Sequence, residues 1–152
     1  KEFGDRFFGG LAHDDYAAKH FKDTLLPEVN ISTKRKYLEI LRNFPICVAT
    51  TGLNSSNGWK LGEYVALSKA IISEPLLFEV TGDFAAENNY LEFTNADELV
   101  ISAQRLFEDK SLRLAMMTSA PASAKARTIS RPSPRLPPVT RATFPVMSNL
   151  LA

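Results

Sequence analysis

The segment from Gly58 to Glu74, GWKLGEYVALSKAIISE, places an ammonium and a carboxylate three positions apart at the start of a helical pattern. Residues three apart share one helix face, so Lys60 and Glu63 can address a single ligand. Gly58 opens the pattern. A helix N-terminus carries unpaired N–H groups and a partial positive charge, which suit a phosphate. Lys60 adds a full positive charge, and Glu63 can accept hydrogen bonds from two vicinal hydroxyls of a ribose. Together they describe a site for a nucleotide sugar. Thr50, Thr51 and Gly52 end an apolar run just upstream, where backbone N–H groups can meet a base or diphosphate, although a turn alone accounts for them too. Asn54, Ser55, Ser56 and Asn57 can donate to a sugar or cap the helix, and Asn57 is the expected cap.

Other chemically capable residues read more plainly. Trp59 and Tyr64 can stack on a base, but core packing is the expectation for both. Lys69 stands at a turn before a strand and is expected to be structural. His13-Asp14-Asp15 has metal-ligand chemistry, yet consecutive residues rarely aim three side chains at one ion and aspartate is a common helix cap, so no metal is expected. Gly9-Gly10 does not continue into a G-x-G-x-x-G dinucleotide fingerprint. Cys47 lies in an apolar run and is expected to be an inert buried thiol. No Ser/His/Asp order suggests nucleophilic hydrolysis.

These residues must be positioned by alternating strands and helices. Arg6-Phe7-Phe8 and Thr24-Leu25-Leu26 have the composition of short strands, the second stopped by Pro27. Asp14 or Asp15 is expected to cap a helix over Tyr16 to Phe21. Ser32 or Thr33 should cap another, with Tyr37, Leu38, Leu41 and Ile40 at helical spacing. Beyond Pro45, Ile46 to Thr50 is a nearly continuous apolar run that suits a parallel strand covered on both faces. The Gly58 to Ser68 helix and a strand from Ala70 to Ser73 follow. Tyr90 to Phe93 reads as an edge strand. Asn95 should cap a helix with Leu99, Ala103, Leu106 and Phe107 inward, and a short helix from Ser111 to Met117 completes the pattern. Alternation of this kind implies an α/β fold, a Rossmann-like parallel sheet with flanking helices, whose ligands sit beyond the carboxyl ends of the strands.

The chain has 152 residues, 18 basic and 17 acidic, which makes one globular domain the default. The near balance hides an asymmetry. From Thr118 onward Lys125, Arg127, Arg131, Arg135 and Arg141 are the charged residues and six of the nine prolines gather. Removing those five cations leaves 13 basic against 17 acidic residues in the first part, which argues against nucleic acid as a partner. We therefore expect an ordered domain over residues 1–117. Residues 118–152 are expected to be a disordered, basic Pro/Ala/Ser-rich tail, whose abrupt onset fits a segment out of frame with the body. A single cysteine, no apolar run near the ~20 residues that span a bilayer, and no signal-peptide pattern at Lys1 point to a cytoplasmic setting without a transmembrane segment.

The order Lys-x-x-Glu-Tyr-x-Ala-x-x-Lys-x-Ile-Ile-Ser, running from Lys60 to Ser73, resembles the donor-binding helix and following strand of GT-B-fold glycosyltransferases of the "glycosyl transferases group 1" type. The resemblance extends loosely from about Phe7 to Met117 and implies part of the C-terminal, nucleotide-sugar-binding domain of such an enzyme. It implies that Glu63 holds ribose or sugar hydroxyls and that Lys60 faces the diphosphate; Gly58, Thr51, Gly52 and Ser55, taken from their places at the helix start and strand end, complete the candidate donor site. Many relatives carry a second glutamate where this chain has Ser55. The implied reaction moves a sugar, with retention, from a nucleoside diphosphate sugar to a hydroxyl acceptor such as a glycan, without a metal or other cofactor. The acceptor domain and the first strands of the donor domain would lie outside this chain, so the isolated chain is expected to have little transferase activity. The full enzyme would be cytoplasmic or peripheral to the membrane. Two other readings fit the same architecture: a nucleotide-sugar epimerase, and a non-catalytic flavodoxin-like interaction domain.

Overall fold

A computed structural model describes residues 3–28, 31 and 33–119. The tail expected to be disordered lies outside these residues from 120 onward. Five helices, α1 (Asp15–His20), α2 (Lys34–Arg42), α3 (Trp59–Ala66), α4 (Ala96–Glu108) and α5 (Lys110–Ser119), accompany three strands, β1 (Ile46–Ala49), β2 (Ala70–Ser73) and β3 (Tyr90–Glu92). The strands form a parallel sheet in the order β1-β2-β3, pairing Ile46 with Ala70 and Ile71 with Tyr90. The chain is thus mixed α/β, with a parallel sheet and flanking helices.

Every residue of β1 and β2 is buried. Because alternate side chains point to opposite faces, both faces of these strands are covered. Cys47, Ile71, Ile72 and Leu91 join Leu41, Tyr64 and Leu106 among the most deeply buried side chains of the core. Burial pushes the Cys47 thiol well above its ordinary range, as expected of an inert cysteine. Leu99, Ala103 and Phe107 pack against this core with Leu106, which confirms the phase read for α4.

Local chemistry explains the helix ends. Asp14 caps α1 by accepting from the Ala17 N–H at 2.7 Å. Asn95 caps α4 through the Glu98 N–H, while the Glu98 carboxylate accepts from both the N–H and the hydroxyl of Thr94. These reciprocal bonds form a capping box and hold the Glu98 carboxyl below its usual range. Arg113, buried on α5, donates to the carbonyls of Leu106 and Phe107 and so closes the last turn of α4. The Lys69 ammonium does the same for α2 through the Arg42 carbonyl, in keeping with a structural role.

Two expected strands are not strands. Gly4–Arg6 is a 3₁₀ turn with Phe7 as its extended C-cap, and Lys22–Thr24 is another. Isolated bridge positions stand in their place: Phe8 is one, and Leu11 bridges Leu25. The Leu11–Leu25 bridge depends on Gly10, where a β-carbon would come within 2.7 Å of the Thr24 carbonyl oxygen and 2.9 Å of the Leu26 nitrogen. Thr33 occupies the N-cap of α2, but its side chain makes no capping bond; Ser32 lies outside the described residues. Among the described residues no helix is long and apolar enough to cross a membrane.

Candidate functional site

The sheet's carboxyl end is where the expected site residues gather. α3 begins there: a β-carbon on Gly58 would sit 3.1 Å from the carbonyl oxygen of Thr50, just past β1, so the helix start lies close against the strand end. α2 also begins at this end. Its last residue, Arg42, meets Lys69 at the opposite end of the sheet, while its first, Lys34, meets Glu63 and Trp59 of α3. Gly58, not Asn57, is the N-cap of α3, and no side chain closes the turn. Asn57 instead donates to the Phe78 carbonyl, tying the loop after β1 to the loop after β2.

Glu63 is largely withdrawn from solvent, its side chain only 12% exposed. One carboxylate oxygen forms an ion pair with Lys34, and the other is buried with no hydrogen-bond partner among the described residues. A bare, buried carboxylate oxygen is costly unless something donates to it. The Lys34 ammonium also lies 4.3 Å from the centre of the Trp59 ring, and Tyr37 of α2 meets that ring edge-on at 6.3 Å. Trp59 is therefore not the core residue its type suggested: it is half exposed and forms one wall of this corner, while Tyr64 is fully buried.

Lys60, one helical turn before Glu63, does not pair with it. Burial lowers its ammonium pKa to about 8, and no described residue compensates it. An uncompensated, desolvated cation at the positive end of a helix is electrostatically disfavoured. It is stabilised when an anion arrives.

The loop after β1 follows the turn alternative. The Thr51 N–H and hydroxyl both donate to the Glu74 carboxylate, at 2.7 and 2.8 Å, and the Gly52 N–H donates to the Ser56 carbonyl at 2.8 Å. These amides are turned inward and engaged, so Thr51 and Gly52 shape the loop instead of offering free donors. Asn54 and Ser55 both have positive φ, 55° and 56°, which tightens the bend. Replacing Glu74 with alanine removes two charge-assisted bonds and is expected to cost about 2 kcal/mol in a denaturant titration, with faster amide exchange across residues 51–57.

Two residues of this corner escaped the sequence reading. Lys34 carried a faint signal: α2 has cations and no acid in its first turn, against the helix dipole, which calls for a carboxylate from elsewhere. Glu74 follows a buried strand directly, and its carboxylate takes both donors of Thr51. His13, Asp14 and Asp15 are not brought together for a metal. Asp14 caps α1, and the His13 ring bonds the Leu26 carbonyl oxygen at 2.6 Å. Among the described residues no cluster of three metal-ligating side chains forms. Compared with protein-family models, curated proteins and solved structures, the chain matches none.

Proposed function

We propose that this chain is the donor-binding part of a GT-B-type glycosyltransferase, in which a nucleoside diphosphate sugar docks at the carboxyl end of the sheet. The observation that carries the reading is the Glu63 carboxylate: buried, half unsatisfied, and set one turn beyond the start of α3. A ribose or sugar diol supplies the missing donors. The Lys60 ammonium and the uncapped first turn of α3 face the diphosphate and stabilise the charge that develops on it as the glycosidic bond to phosphate breaks. The acceptor hydroxyl would come from a further domain, so this chain's own part is to bind and orient the donor. The parallel sheet, with its helix N-termini and loops at one end, supports a Rossmann-like assignment of the same domain.

Saturation-transfer NMR with uridine and guanosine diphosphates tests this. One of the two is expected to bind, and Glu63→Ala should weaken it roughly tenfold, the worth of hydrogen bonds to a buried charge. A well-folded chain that binds neither would leave the flavodoxin-like interaction domain as the better reading.

A further inference from the structure

The carboxylate assigned to the donor diol is already engaged on one side. Lys34 reaches across from α2, lies over the Trp59 ring and pairs with one of the two Glu63 oxygens. A vicinal diol that donates one hydrogen bond to each oxygen needs both. The second oxygen is unpartnered, so the pair leaves the acid half occupied. Lys34 itself is half exposed and can swing into solvent without opening the core, since its helix is anchored elsewhere by Tyr37, Leu38 and Leu41.

Resting on the donor-site reading, we infer that Lys34 is a gate on Glu63: it occupies the acid in the unliganded protein and must be displaced by the ribose or sugar diol, so it sets how strongly the site discriminates diol-bearing ligands. Trp59 is the rail on which the ammonium lies, and its ring is where the displaced side chain is missed. Because Trp59 is the only tryptophan in the chain, its emission reports the gate directly.

The experiment compares uridine and guanosine diphosphates, each with its dideoxy counterpart that lacks both ribose hydroxyls, on the full chain and on Lys34→Met and Lys34→Arg. Loss of the lysine charge acts on both members of each pair alike, so the ratio of their affinities isolates the diol. That ratio is expected to rise roughly fivefold in Lys34→Met, the weight of a half-exposed ion pair, and to stay near the parent value in Lys34→Arg. In the parent, the diphosphate that binds should shift Trp59 emission, and its dideoxy counterpart should not. An unchanged or lower ratio in Lys34→Met overturns the gate while leaving the donor site standing. Failure of every form to bind either uridine or guanosine diphosphate, with the fold intact, overturns the donor-site reading and the gate together.

Discussion

Lys60→Met is expected to stabilise the fold and to remove anion binding at the same time. Burial lowers the ammonium from its ordinary 10.5 to about 8 in the folded chain, whereas the unfolded chain keeps the ordinary value. Between pH 8 and 10.5 the unfolded chain therefore holds a proton that the folded chain has released, and stability rises with pH through that window. Below pH 8 both states are charged and the full penalty of the buried cation is present, at most about 3 kcal/mol. Methionine keeps the stem's packing without the charge, so urea titration at pH 7 should show a gain of about 1–3 kcal/mol, and the rise above pH 8 should vanish. Ligand binding has the opposite slope. A phosphate stabilises the charged amine, so uridine diphosphate affinity should fall as pH climbs past 8, with proton uptake measurable by calorimetry in two buffers of different ionisation heat. A stabilised variant that still binds the nucleotide with parent affinity would show that Lys60 faces no phosphate. Gains in stability on removing a charged residue are typical of sites that hold strain for a ligand.

The sequence made the sheet legible because its information there is redundant. Ile46 to Ala49 and Ala70 to Ser73 are buried on both faces, so an apolar run bounded by Pro45 and by the Thr50–Gly52 turn has few other solutions. α4 was legible for a different reason, since Asn95, a ready N-cap, stands just before an apolar stripe at helical spacing. Residues 6–8 and 24–26 misled because a strand is defined by its partner, and three residues cannot announce one. At the site, Gly58, Lys60 and Glu63 were legible as one local pattern on α3. The Lys34–Glu63 pair and the Thr51–Glu74 bonds were not, because they join residues far apart in sequence whose meeting depends on how α2, α3 and the strand ends converge. Propensity and periodicity act over a turn or a few residues, whereas ion pairs between helices follow from the packed fold.

The packing that creates this convergence can be tested at one side chain. Leu106 is fully buried on α4, which packs against all three strands, and Arg113 is bonded to its carbonyl. Leu106→Ala deletes a core side chain whose surroundings are fixed by the sheet and by α5, so little collapse into the cavity is possible. The expected cost is about 3–4 kcal/mol by denaturant titration, a large fraction of the stability of a domain this small. Ile101 lies on the same helix but is 62% exposed, and Ile101→Ala should change stability by no more than about 0.5 kcal/mol. The contrast matters for function, because α4 does not touch Lys34, Trp59 or Glu63 in any bond or ring contact among the described residues. If the corner between α2 and α3 is held by the sheet, Leu106→Ala should loosen it only through global unfolding: Trp59 emission and the core's amide exchange should fail at the same denaturant concentration. Should Trp59 report an earlier transition while the sheet stays protected, the gate and its acid form a locally mobile unit, and the donor site is assembled on ligand binding instead of being preformed.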